Sequence, residues 1–368
     1  MVNLTGLFLS PFLVGALVSF FSTPLVILFL KKKGIVDDPK KHKHPKITHE
    51  YPVPRGGGIP IFLSLLTSVF FLPFDKHMRG ILLGATIAVV VGILDDIFEE
   101  KIHPLIRLAT NLLAASIVVG AGIGVAFINN PFGGIIRLDQ IQICFTLLGQ
   151  SHCLWIIADI LAILWISWTM NFVGWSGGIE GQLPGIVVIA ALTLAGLSLR
   201  FSADITQWPA TILAAILAGA YFGFLPWNFY PQKIMPGYGG KTLAGFVLAI
   251  ISILSTAKVA TLMLVLGIPL IDALYIFFKR IFSGRSPFWG GREHLHHRLL
   301  DLGWSKKKVV FFYWAITGIL AILALNLNSQ QKFYTMIMLV LLFGGGILWL
   351  NWLSTSLKQP DQDNGLKT

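Results

Sequence analysis

Two adjacent carboxylates, Asp95 and Asp96, close the apolar run Gly92-Ile93-Leu94. Like charges at an apolar helix end repel each other and lose hydration, so they are costly unless a cation or a proton relieves them. Magnesium, a hard cation that favours carboxylate and phosphate oxygens, would serve. A solvated helix end is the plainer alternative, since Glu99, Glu100 and Lys101 continue the polar stretch. The second grouping is His294-Leu295-His296-His297-Arg298, after Arg280, Arg285 and Arg292 and before Lys306 to Lys308. Imidazole and guanidinium groups both donate to phosphate oxygens, so this segment suits a metal or a phosphate-rich ligand. Zinc is disfavoured: no cysteine accompanies the histidines and none are spaced i, i+4, although His294 and His297 could share a helix face. A basic anchor at a lipid surface would have the same composition.

Three glycine- and proline-rich stretches join them. Asn171 to Gln182 reads Asn-Phe-Val-Gly-Trp-Ser-Gly-Gly-Ile-Glu-Gly-Gln; its glycines allow close backbone approach, while Asn171 and Glu180 offer polar contacts. Pro226 to Lys241 reads as a rigid loop with a nest-like glycine turn ending in a lysine, suited to an anion. Pro52-Val53-Pro54-Arg55-Gly56-Gly57-Gly58 is a proline-stiffened helix entry. Each could also be no more than a tight turn.

Apolar helices must position these residues. Of the 368 residues, 55% are hydrophobic and 12% charged, and mean hydropathy is +0.75; a soluble domain carries roughly one-quarter charged residues. A membrane span needs about 20 mostly apolar residues so that its backbone bonds internally. Such runs are read at Leu7 to Leu30, Ile59 to Leu72, Gly80 to Leu94, Leu105 to Gly120, Leu154 to Phe172, Ile186 to Leu199, Trp208 to Leu225, Leu243 to Leu254, Val259 to Phe278, Val309 to Leu325 and Phe333 to Trp352. The expected fold is an all-α, multi-pass membrane domain of about eleven helices over 1–354, with a polar, disordered cytoplasmic tail over 355–368. The first run is too long for a signal-peptide core and should remain as a span. The second and eighth are short enough to be tilted or partly interfacial.

The net charge is +11, but the cations lie in short loops between apolar runs. That distribution argues for attraction to lipid or an anionic substrate and against nucleic acid. They crowd the first and ninth loops, which the positive-inside rule makes cytoplasmic, leaving the N-terminus outside and the C-terminus inside. Every polar grouping above then falls on the cytoplasmic face of a cytoplasmic (inner) membrane. The fourth loop, with Asn129-Asn130-Pro131-Phe132-Gly133-Gly134, reads as an outer β-hairpin. Cys144 and Cys153 fall in or beside that loop, as a disulfide or as two thiols.

In order, these blocks resemble the polyprenyl-phosphate N-acetylhexosamine-1-phosphate transferase superfamily, glycosyltransferase family 4, over roughly Asp37 to Ser305. The His-Leu-His-His form is nearer the N-acetylglucosamine-phosphate initiators than the peptidoglycan translocase. The resemblance implies transfer of a sugar 1-phosphate, an N-acetylhexosamine 1-phosphate, from a UDP-sugar to undecaprenyl or another polyprenyl phosphate. UMP would be released and cell-envelope glycan synthesis initiated, as for lipopolysaccharide or peptidoglycan. It implies catalytic roles for Asp95 and Asp96, a magnesium ion (or manganese) on Asp95, Asp96 and Glu180, and substrate binding by Lys43, Arg55, Asn171, Lys241, Arg280, His294, His296, His297 and Arg298. Partners would be the two substrates and the bilayer; a homodimer is compatible and nucleic acid is not expected. The chain departs from the family pattern: Gly174 stands for an Asn, Gly177 for an Asp, Glu180 for an Asp, and Tyr238 for a magnesium-binding Asp. A catalytically silent homologue that binds prenyl phosphate or scaffolds an envelope complex is therefore the rival. A transporter fits less well, because the charges gather at one face rather than at the midplane. Asp272, inside a span, is read as a polar contact.

Overall fold

A computed structural model describes residues 4–40, 49–98, 102–147, 150–255, 259–286 and 291–349. Each expected apolar run is helical over most of its described residues. The helices are α1 (Ser10–Lys32), α2 (Gly58–Leu66), α3 (Lys76–Ile97), α4 (Pro104–Gly120), α5 (Ile156–Trp175), α6 (Gln182–Leu199), α7 (Trp208–Asn228), α8 (Gly237–Leu254), α9 (Val259–Val265), α10 (Gly267–Phe282), α11 (Leu295–Asp301), α12 (Lys306–Asn326) and α13 (Ser329–Leu339). Eight helical stretches among the described residues are long and apolar enough to cross a membrane; α9 and α10, bent by 83° at their junction, make up to nine. The expected single span over Val259 to Phe278 is thus a broken one. The second and fourth runs give the shorter helices Gly58–Phe70 and Pro104–Gly120, which stop within the bilayer or thin it locally, whereas the eighth, expected to be short, belongs to α8, which is long enough to cross. Lys43 and the C-terminal tail lie outside the described residues.

Burial sorts the helices. The apolar window of α8 is 83% buried, whereas that of the last helical stretch, Ser329–Trp349, is only 11% buried. α8 packs against α3, α5, α7 and α2, so it is the axis of the bundle. α1 presents Leu25 and Leu28 outward, each about two-thirds exposed, as a lipid-facing helix should. Its inner side meets α7 through small residues: a methyl group on Gly219 would lie 2.9 Å from the Ala16 backbone nitrogen, and one on Gly223 2.9 Å from the Ala16 carbonyl carbon. Lipid supplies no hydrophobic drive between helices, so this Gly-x-x-x-Gly seam gains its packing by backbone approach.

Among the described residues, strands occur only in the connections. β1 (Val36–Asp37) pairs antiparallel with β2 (Val53–Pro54). The loop read as one hairpin contains two: β3 (Phe127–Asn129) with β4 (Ile135–Arg137), and β5 (Gln142–Leu147) with β6 (Gln150–Trp155). Cys144 and Cys153 face each other across the second and form a disulfide, resolving the choice that the sequence left open. The two sets of loops segregate. The first hairpin reaches α13, with Asn129 donating to the Ser329 hydroxyl at 3.0 Å, while all five polar blocks meet at the other end of the bundle.

Candidate active site

The site is assembled by backbone packing before any side chain is considered. Gly57 donates its N–H to the Met235 carbonyl at 2.9 Å, and Met235 donates back to Pro54 at 2.9 Å. The Pro-Val-Pro-Arg-Gly-Gly-Gly entry thereby runs alongside the loop after α7. A methyl on Gly58 would lie 2.8 Å from the Gly240 nitrogen, and one on Gly92 2.5 Å from the Gly239 nitrogen. Three glycine-bearing motifs far apart in sequence thus interlock at the start of α8. The segment Gly237 to Lys241, expected to be a nest-like turn, is instead the first turn of that helix. Only Gly237 keeps the turn character, with φ of +67°.

Asp96 faces this turn. Its Oδ1 accepts the Tyr238 N–H at 2.9 Å, an anion on the N-terminal amides of a helix. Its Oδ2 is buried and has no hydrogen-bond partner among the described residues. A methyl on Gly237 would lie 2.7 Å from the Asp96 Cγ, so the carboxylate occupies the space that the glycine leaves. Asp95, 3% exposed, accepts from Arg107 Nε at 2.7 Å. The Arg107 guanidinium also covers the Tyr238 ring, 5.4 Å from its centroid, and its Nη2 is buried without a hydrogen-bond partner among the described residues. Arg107 was absent from the sequence-based set. The signal that could have revealed it is a lone cation in the first turn of the helix after the aspartates, one helix connection away.

Lys241, one turn into α8, bridges to the histidines. A methyl on Gly177 would lie 3.1 Å from the Lys241 side chain, and one on Gly178 2.7 Å from Cδ2 of His296. The glycine-rich connection after α5 is therefore the floor on which Lys241 and His296 lie, and the charge of Lys241 reaches both Asp96 and His296. His296 is 2% exposed. It sits between His294, stacked at 5.5 Å, and His297, at 4.3 Å between centroids. Burial, reinforced by the other two histidines and Lys241, drives its pKa well below the usual value, so it is neutral at physiological pH. The histidine segment begins the short helix α11, and Asp272 anchors it: His294 Nδ1 lies 2.8 Å from Asp272 Oδ2, and the Leu295 N–H donates to Oδ1 at 3.0 Å.

Other expected residues are placed differently. Asn171 lies inside α5 rather than in the loop, and its amide donates to the Ser167 carbonyl at 2.7 Å. Glu180, 4% exposed, accepts from Lys306 at 2.8 Å through Oε1, while Oε2 has no hydrogen-bond partner among the described residues. Arg55 pairs with Asp37. Arg280 pairs with Glu293 at 2.8 Å, and Arg298 donates to the Glu293 carbonyl at 2.9 Å and covers Tyr275. Among the described residues no three His, Cys, Asp or Glu side chains come together so as to hold a metal ion. The trio Asp95, Asp96 and Glu180 is not such a cluster; arginine and lysine sit on two of its members. A magnesium ion that takes one or two carboxylates and completes its shell with phosphate and water does fit the unpartnered Asp96 oxygen.

Comparison with known proteins gives the same direction. Residues 78–256 match the sequence profile of glycosyl transferase family 4. A decaprenyl-phosphate N-acetylglucosaminephosphotransferase of Mycobacterium tuberculosis is 29% identical over 342 residues, 84% of this chain and 80% of the relative. A Sulfolobus acidocaldarius protein provisionally named UDP-N-acetylglucosamine–dolichyl-phosphate N-acetylglucosaminephosphotransferase is 30% identical over 344 residues, 88% of this chain and 97% of its own. A phospho-N-acetylmuramoyl-pentapeptide-transferase of Moorella thermoacetica is 27% identical, covering 87% and 98%.

Proposed function

Because the chain belongs to glycosyl transferase family 4, the polyprenyl-phosphate N-acetylhexosamine-1-phosphate transferases, we propose that it moves N-acetylglucosamine 1-phosphate from the UDP-sugar to undecaprenyl phosphate. A phosphate oxygen of the lipid forms a bond to the sugar-side phosphorus of the UDP-sugar. The pyrophosphate bond breaks, and UMP leaves with the electron pair. The lipid-linked pyrophosphoryl sugar enters cell-envelope glycan synthesis. The chemistry is set on the cytoplasmic face, where the nucleotide is available.

The observation that carries this reading is the buried, unpartnered Asp96 Oδ2 at the end of the bundle that also holds Lys241 and His296. With its open Oδ2, Asp96 is the group placed to hold a metal ion against the lipid phosphate, which attacks as its anion. Arg107 holds Asp95 and directs its free Nη2 toward phosphate charge, and Lys241 supplies a second cation. Neutral His296 donates a hydrogen bond to the nucleotide phosphates without adding charge. A magnesium ion on Asp96 and Asp95 would neutralise the pyrophosphate of the donor. Recognition is thereby divided between a carboxylate end for the acceptor and a histidine-arginine end for the nucleotide.

One observation favours the silent homologue: Arg107 and Lys306 already neutralise Asp95 and Glu180, and Tyr238 offers its backbone rather than a carboxylate. The test is UMP release by purified protein supplied with magnesium, undecaprenyl phosphate and UDP-N-acetylglucosamine or UDP-N-acetylgalactosamine. Release that disappears in Asp96→Asn protein supports the transferase. No release with any donor overturns it in favour of the silent homologue.

A further inference from the structure

At the end of the bundle opposite the site, a cavity of about 310 Å³ lies between the β3–β4 hairpin, α9 and the start of α13. Its walls are largely apolar, with Phe127, Ile253, Met263, Phe333 and Met336 among them. That size is at the lower end of small-molecule pockets. The hairpin covers it, tied to α13 by the Asn129–Ser329 hydrogen bond and by the Phe132 ring, 6.0 Å from Phe333.

One lining residue does not belong to an apolar void. Lys332 is half-buried on the first turn of α13, and its ammonium donates to the Thr261 hydroxyl at 2.9 Å. No salt bridge to it occurs among the described residues, and another cation, Arg200, acts on it. It also stands near the positive end of its helix, where a cation is disfavoured. A charge kept in such a place, facing an apolar cavity in a membrane protein, marks a ligand of opposite sign.

We propose that this cavity is a lipid site: it takes one hydrocarbon chain of an anionic amphiphile, whose phosphate headgroup pairs with Lys332. Phosphate on a hydrocarbon chain can come from an anionic phospholipid or from a polyprenyl phosphate, and both meet the chemistry of the site. Its location, remote from Asp96 and His296, makes it independent of the proposed transfer reaction.

The test is native mass spectrometry of the full-length protein released from detergent, titrated separately with dioleoylphosphatidylglycerol, dioleoylphosphatidylcholine and undecaprenyl phosphate. Wild-type protein should retain an anionic lipid about fivefold more than phosphatidylcholine, the order expected of one lysine facing an anionic headgroup. Lys332→Gln should remove that preference. Met263→Trp, which fills the cavity, should reduce retention of the anionic lipid while both variants keep a wild-type elution profile and melting temperature. Comparing the Lys332-dependent retention of phosphatidylglycerol with that of undecaprenyl phosphate identifies the source. Equal retention of charged and zwitterionic lipid by the wild type, or an unchanged preference in Lys332→Gln, overturns the proposal.

Discussion

Replacing Gly178 by alanine adds one methyl group to the floor beneath His296. The new carbon would stand 2.7 Å from Cδ2 and 2.8 Å from Cε1 of that ring, against the 3.4 Å at which ordinary contact begins. The imidazole must therefore retreat by at least about 0.7 Å. A histidine at a surface would do so freely. His296 is 2% exposed and is held between His294 and His297, so the displacement spreads through the whole segment. Overpacking of this kind costs roughly 1–3 kcal/mol of stability, and a misplacement near 1 Å costs on the order of 10²-fold in rate. The assay is the initial rate of UMP release in detergent, with melting temperature measured on the same preparation. Gly178→Ala should melt within a few degrees of wild type yet turn over about 10²-fold more slowly. Gly174→Ala is the control: its methyl would meet Lys241 Cβ at 3.6 Å, an ordinary contact, and alanine favours the helix by about 0.5–1 kcal/mol. Wild-type turnover in Gly178→Ala would refute the idea that His296 must stay where the glycine loop puts it.

Arg107→Met removes the cation that donates to buried Asp95; the loss of stability should approach, but not reach, the ~3–5 kcal/mol of a fully buried pair, because Arg107 is partly exposed. Adding Asp95→Asn should restore the melting temperature without restoring UMP release. His296 is neutral in the folded protein while the unfolded chain binds a proton below about pH 6.5, so stability should fall as pH drops below that point, by up to ~1.4 kcal/mol per unit. Thermal melts at pH 7.5 and 5.5 should show that loss for wild type and a smaller one for His296→Gln. Cysteines placed at Lys43 or Arg285 should react with an impermeant reagent only from the cytoplasm, and one at Asn130 only from outside, in a background where Cys144 and Cys153 are serine. Labelling of all three from one side would undo the topology.

Much of the fold could be read along the chain, because the requirement behind it is local. A backbone in lipid must bond within its own segment, so each helix is announced by its own run of apolar residues. The same rule does not say whether a run of 13 or 17 residues crosses the bilayer, or that Val259 to Phe278 breaks by 83° at Leu266. Those outcomes depend on neighbours. The aspartate pair, the histidine segment and the glycine-rich stretches were likewise visible as costly or permissive residues, and they do gather at one end of the bundle.

What they do there was decided only by the fold. Ion pairing joins residues that the sequence reading left apart: Asp95 with Arg107, 12 positions on, and Glu180 with Lys306, 126 positions on. Asp272, read as a polar contact within a span, became the anchor of His294 and Leu295. The glycines changed meaning most. Gly178 and Gly237 read as turn residues in the sequence and Gly92 as part of an apolar run, yet each is required because another chain segment or a carboxylate lies where its side chain would be. Residue type along the chain determined which segments enter the membrane and which groups carry charge. Which charge faces which is a property of distances through space, and only the packed bundle sets those.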